Sequence, residues 1–136
     1  MHTNVLDYRM TRTVDLLYKD AVERTRQELA KEGFGVLTEI DVAATLKTKL
    51  KVDFRPYVIL GACNPSMAHR ALTAEPDIGV LLPCNVAVYS ADAPGRSIVS
   101  AVDPETSLAR VGNEALRPVA ADVKARLRRV LDGVAV

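Results

Sequence analysis

Tyr57-Val58-Ile59-Leu60-Gly61-Ala62-Cys63-Asn64-Pro65 joins two patterns that belong to different elements. Residues 57–62 form an almost unbroken apolar run, as expected of a central strand covered on both faces or lying in a dimer interface. Asn64-Pro65 is a helix start: Asn accepts from an orphan amide at the cap, and Pro fills the first helical position, where its missing N–H costs nothing. A strand thus runs directly into a helix, with Cys63 at the junction. A second cysteine lies in the longest apolar run, residues 78–89, where Cys84-Asn85 follows Pro83. Proline cannot donate to a strand ladder, so this strand is expected to bend at Pro83, at an edge or a bulge.

Working outward, residues 4–14 are β-branched and mixed polar, which suits a first strand at a sheet edge. Over residues 15–32 the period changes, with Leu17, Ala21, Thr25 and Leu29 on one side of a helix. Gly33 supplies its left-handed stop. A strand over residues 35–40 follows, and Asp41 caps a short helix that carries Val42, Ala43, Leu46 and Leu50 and ends near Lys51. Phe54-Arg55-Pro56 breaks the pattern before the central strand. The helix opened by Pro65 is expected to end at Ala74, ahead of Glu75-Pro76. Pro94-Gly95, within residues 91–96, turns the chain back into an antiparallel strand over residues 97–102, which Asp103-Pro104 ends. Asn113 caps the last helix, where Leu116, Val119, Ala120, Val123, Leu127, Val130 and Leu131 recur at helical spacing. Arg126, Arg128 and Arg129 near its end read as a solvated cluster that complements the helix dipole.

The order of elements predicts an α+β protein: a single two-layer domain over residues 1–136, with a mixed β-sheet and helices mainly on one face. No glycine-rich phosphate loop is present, which removes support for a doubly wound nucleotide-binding sheet. The 136 residues, 49% hydrophobic and 26% charged, suit one ordinary aliphatic core and exclude a disordered chain. Eighteen Lys and Arg balance 17 Asp and Glu, so there is no bulk positive field to hold a nucleic acid. The opening residues lack the apolar core of a secretory signal, and no run approaches the roughly 18 apolar residues of a membrane span. The expected location is the cytoplasm, where two cysteines remain free thiols.

Chemistry is sought where the two Cys-Asn pairs sit. Cys63 adjoins a helix start, whose free amides favour an anion and can depress a thiol pKa; a small apolar residue finishing a buried strand is the plainer reading. Cys84 lies where a strand departs from regular pairing, which can aim a side chain into a site. Cys63, Asn64, Cys84 and Asn85 are therefore the candidate ligand-binding residues, and Cys63, Cys84 and His69 the candidate catalytic ones. His69 as a base toward Cys63 requires contact across a strand-to-helix junction, whereas the periodicity of Ala68, Ala71 and Leu72 makes it a rim residue. Cys63, Cys84 and His69 match no zinc ligand spacing, so no metal is expected, and no other cofactor is implied. Glu39 and Asp41 form an acidic pair, but Asp41 already serves as a helix cap.

The residues quoted at the outset, with Ala68-His69-Arg70-Ala71-Leu72 and Ile78-Gly79-Val80-Leu81-Leu82-Pro83-Cys84-Asn85-Val86, resemble the domain of unknown function 302 family. Residues 33–41 are similar to the segment that precedes those motifs in the family. The resemblance spans nearly the whole chain. It implies a compact α+β fold, a tendency to dimerise and a bacterial or archaeal setting, and brings no activity or catalytic residues.

Three functions are compatible with these residues. One is a dimeric binding module for a small molecule or an anion, with its pocket at the strand ends near Cys63/Asn64 and Cys84/Asn85. Another is a cysteine-dependent enzyme or redox protein using Cys63. The third is a structural domain that acts only through a homodimer. Neither a nucleic acid nor a membrane is an expected partner.

Overall fold

The structure, a computed structural model, describes residues 7–135. Five strands form one sheet in the order β1-β5-β4-β3-β2: β1 Arg9–Val14, β2 Gly35–Asp41, β3 Tyr57–Cys63, β4 Cys84–Ser90 and β5 Ser97–Val102. The α+β class in two layers holds, but every neighbouring pair is antiparallel, so the sheet is not mixed. β1 and β2 run in the same direction at opposite edges of the sheet, whereas the helix-containing connections from β2 to β3 and from β3 to β4 reverse strand direction as a hairpin would.

The helices are α1 Tyr18–Lys31, α2 Val42–Leu50, α3 Pro65–Ala74, α4 Pro104–Ala109 and α5 Arg117–Ala135. On α5, Val119, Ala120, Val123, Leu127, Val130, Leu131 and Val134 are buried, the stripe that the sequence periodicity predicts. They meet Leu29 and Ala21 of α1 and one face of the sheet, formed by Val58, Leu60, Val86, Val88, Val99 and Ala101. Burying each such Leu or Val stabilises the fold by about 1.5–3 kcal/mol. Strand β5 shows the alternation cleanly, with Ser97, Val99 and Ala101 buried and Ile98, Ser100 and Val102 half-exposed. Tyr57 and Ile59 lie on that second face and are half-buried, while Val58, Leu60 and Ala62 are buried on the core face.

Several boundaries differ from expectation for identifiable reasons. The first strand begins at Arg9, and residues 4–6 lie outside the described residues. Helix α1 starts at Tyr18 because Leu17 is extended (φ −63°, ψ 154°) and exposed, while Asp15 pairs with Arg96 at 2.9 Å. The run after Pro76 is not strand: Pro76–Leu81 winds into a 3-10 helix that buries Ile78 alone and exposes Val80. The chain then turns at Pro83, whose peptide bond with Leu82 is cis, and β4 begins only at Cys84. Asp103 does more than end β5: it caps the additional helix α4, accepting from the amides of Glu105 (3.0 Å) and Thr106 (3.4 Å), and pairs with Lys124 at 2.9 Å. Asn113 caps the short 3-10 turn Glu114–Leu116, which leads into α5.

Other local readings hold. Gly33 takes φ +83°, and Asp41 accepts from the Ala44 amide at 2.9 Å to cap α2. Arg126 and Arg129 bind the end of α1, through the Glu32 carbonyl at 3.1 Å and the Glu32 carboxylate at 2.9 Å. The cluster therefore departs from expectation: it lies within α5, whose last turn holds no basic residue, and joins two helices instead of complementing the dipole of its own.

Candidate functional site

The strand ends at Cys63 and Cys84 are neighbours because β3 and β4 pair with Ala62 opposite Cys84. Both cysteines are terminal residues of their strands, both are half-buried, and both are free. They line one cleft of about 340 Å³ at the end of the sheet. Its walls come from Phe34 just before β2 and Leu37 within it, Met67, Ala68 and Leu72 of α3, Leu82 and Pro83, and Leu108, Val119 and Val123 of the helical layer. Gly35, which has no side chain, is the cross-strand neighbour of Cys63. A one-residue irregularity between Val36 and Thr38 leaves Leu37 unpaired, exposed and available to the cleft.

Asn64 is on this wall, but both ends of its side-chain amide are already bonded. Its Oδ1 accepts from the Met67 amide at 3.3 Å as the cap of α3, and its Nδ2 donates to the Glu32 carbonyl at 3.3 Å. The same carbonyl accepts from Arg126, so one oxygen ties together α1, α3 and α5. Gly33 makes room for this contact, since a Cβ there would stand 3.0 Å from Asn64 Nδ2.

The two remaining candidates do not join the site. Asn85 pairs with Gly61 and is exposed away from the cleft, one residue and therefore one strand face removed from Cys84. His69 is exposed on α3 and does not line the cleft. Glu39 and Asp41 also stay structural, Glu39 pairing with Arg26 and Asp41 capping α2.

Burial pushes the Cys84 thiol up from 9.0 to about 11, and Cys63 nearby adds to the effect. Cys84 is therefore a neutral thiol at physiological pH, unlike an activated nucleophile. The cleft is walled by aliphatic, aromatic and sulfur-bearing side chains, with no charged side chain among its lining residues. Among the described residues, no group of three or more His, Cys, Asp and Glu is arranged to hold a metal ion. A larger groove, about 620 Å³, lies between α4 and the start of α5, but neither thiol lines it.

Sequence reasoning identified Cys63, Asn64 and Cys84 at this end and missed Met67, Leu37 and the helical wall. Met67 stands three residues after the cap, where one helical turn returns a side chain to the face it shares with the strand end, so its spacing from Asn64 was the available signal. Leu37 had none, because an irregularity of pairing is a property of two strands together.

No helix among the described residues is long and apolar enough to cross a membrane. No curated protein matches the chain. A crystal structure of an uncharacterized conserved DUF302 protein from Bacillus stearothermophilus is similar, with 34% sequence identity and a TM-score of 0.85 over 93% of this chain and 97% of that one. Residues 10–134 match the family described as domain of unknown function DUF302, and the chain belongs to that family.

Proposed function

We propose that this protein is a binding module that takes an apolar small molecule, or the apolar part of one, into the cleft at the end of the sheet. The observation that carries the reading is the lining itself: a hollow of about 340 Å³ walled by Phe34, Leu37, Met67, Leu72, Leu82 and Leu108, with two thiols beside them. That volume falls in the usual range for small-molecule pockets, and apolar walls bind by excluding water. An anion has little to hold it here, because the Asn64 amide is committed and no cationic side chain lines the wall. A Cys63 nucleophile finds no base in His69, which stands outside the cleft. A cytoplasmic location, which keeps thiols reduced, suits such a pocket.

The test uses the neutral fluorophore N-phenyl-1-naphthylamine. Saturable one-to-one binding is expected, together with its loss in Ala68→Phe, which fills the cleft from α3. Equal binding by wild type and Ala68→Phe, with both folded by circular dichroism, refutes the reading.

The module is read as a homodimer joined through the second face of the sheet. Tyr57, Ile59, Ala87, Tyr89 and Ile98 lie there half-buried, and Tyr57 stacks on Tyr89 with ring centroids 4.9 Å apart. Tyrosine with arginine near it is a composition enriched in interfaces. A second copy suits this face because its arginines are already neutralised, Arg55 by Asp92 and Arg9 by Asp7, both at 2.8 Å or less, so the surface meets itself without net repulsion. Sedimentation equilibrium at micromolar concentration should give a dimer, and Ile59→Lys a monomer; a monomeric wild type overturns this part alone.

A further inference from the structure

Strands β1 and β2 are the two edges of the sheet. Edge β2 is blunted, because the irregularity between Val36 and Thr38 breaks the repeat that a docked strand would have to follow. Edge β1 keeps a regular register with β5 through all six of its residues. One bond fixes the direction of its backbone groups: the Tyr8 carbonyl accepts from the Asp103 amide at 2.8 Å, so Tyr8 and every second residue after it point toward β5. Arg9, Thr11 and Thr13 therefore point outward. Two of these outward groups are met within the same segment, the Arg9 amide by Asp7 Oδ1 and the Thr11 carbonyl by Arg12 Nη1, both at 3.3 Å. Among the described residues, nothing pairs with the outward amides of Thr11 and Thr13.

A groove of about 520 Å³ lies at this edge, lined by Asp7, Arg9, Thr11 and Arg12 with Arg128 and Leu131 of α5. Three guanidiniums thus face one carboxylate. Arg9 pairs with Asp7 at 2.7 Å and Arg12 with Asp132 at 2.6 Å, whereas the exposed Arg128, one helical turn before Asp132, has no acidic partner among the described residues. Asp7 shows what the edge accepts, since one of its carboxylate oxygens takes both the amide and the guanidinium of Arg9.

We propose that the β1 edge is a docking site for an extended acidic peptide segment of a partner protein, added to the sheet as a sixth strand. Its backbone pairs with the outward groups of Thr11 and Thr13, and its side chains alternate between the two faces. On the helical face, where Arg12 reaches α5, acidic side chains meet Arg128 and Arg12. A second copy of this chain is a poorer occupant: paired antiparallel about Thr11, it would make the two Arg12 side chains diagonal neighbours on one face, and like charges repel there. The edge shares no residue with the cleft lining or the tyrosine face, so its occupancy requires neither.

The probe is a fluorescein-labelled peptide alternating Glu with Thr and Val, titrated with the full chain at low ionic strength and followed by fluorescence anisotropy. Saturable binding is expected, with at least about 10-fold weaker binding of the counterpart that carries Lys in place of Glu. Thr11→Pro removes the outward amide and leaves the β1–β5 bonds in place, so it should lower affinity by at least about 10-fold, while Thr11→Val keeps the amide and should bind as wild type. Arg128→Glu should lower affinity about 5-fold. If circular dichroism shows that Thr11→Pro does not fold, amide hydrogen exchange of the wild type decides, since saturating peptide should slow exchange at Thr11 and Thr13. No saturable binding by wild type, equal binding of the Lys peptide, undiminished binding by folded Thr11→Pro or Arg128→Glu, or unchanged exchange at Thr11 and Thr13 overturns the proposal. So does a sedimentation mass above the dimer that Thr11→Pro abolishes, which gives the edge to a second copy instead.

Discussion

Replacing Asn64 tests whether the residue at the mouth of the cleft acts only as a helix cap or also as a clamp between helices. Asn, Asp and Ser are nearly equivalent caps, and replacing any of them by Ala costs about 1 kcal/mol. The clamp is the second bond, from Nδ2 to the Glu32 carbonyl at 3.3 Å, which Ser is too short to make. A neutral hydrogen bond contributes about 0.5–1.5 kcal/mol, and this one belongs near the lower end because it is long and Glu32 keeps its bond from Arg126. Asn64→Ser should therefore cost about 0.5–1 kcal/mol and Asn64→Ala about 1.5–2 kcal/mol. In a domain of this size those values correspond to melting-temperature decreases of roughly 2–5 °C and 5–9 °C. Urea denaturation followed by circular dichroism reads both, with the slope of the transition unchanged. The reasoning is refuted if Asn64→Ser is as stable as wild type, because capping alone would then account for Asn64.

Gly61 packs against a neighbour that cannot yield: a Cβ there would fall 2.1 Å from Thr38 Oγ1 and 2.8 Å from the Pro83 ring. Gly61→Ala should destabilise by about 1–2 kcal/mol, since overpacking outweighs the usual gain from removing a strand glycine, and Pro83→Ala in the same chain should recover part of the loss in a denaturant titration. The Cys84 thiol, raised to about 11, should be alkylated by iodoacetamide at a rate that keeps climbing past pH 9, and a plateau near the ordinary value would contradict its burial. The raised value also sets a pH dependence. The unfolded chain releases this proton first, so the contribution is intact below about pH 9 and declines as pH rises toward 11; stability relative to Cys84→Ala should fall over that window, and a flat difference would contradict it.

The elements most legible in the sequence are those fixed by local chemistry. Asn64-Pro65 marked the start of α3, Gly33 the end of α1 and Pro94-Gly95 the β4–β5 turn, because in each case one residue's backbone preference decides the conformation. The apolar run from Ile78 was misleading because hydrophobicity without alternation suits a buried strand and a tight helical turn alike, and the tertiary fold needed to bury only Ile78. Helix α4 was hidden in the same way: Asp103-Pro104 signals a strand end and a helix start with the same two residues. At the site, the two Cys-Asn repeats suggested equivalent roles for Asn64 and Asn85. The strand's two-residue period separates them, since Asn85 follows Cys84 within β4 and faces away, while Asn64 leaves β3 altogether to cap a helix.

The polar groups around the cleft decide what it can recognise. Asn64 is bonded at both ends of its amide, and beyond the wall Asp103 is engaged with two amides and Lys124 while Asn113 donates to the Ala74 carbonyl and accepts from the Ala115 amide. A ligand in the hollow therefore gains few directional hydrogen bonds and is held by shape and by exclusion of water. Such a pocket distinguishes compounds differing by one methylene by only about 1–3 kcal/mol, which gives breadth rather than selectivity.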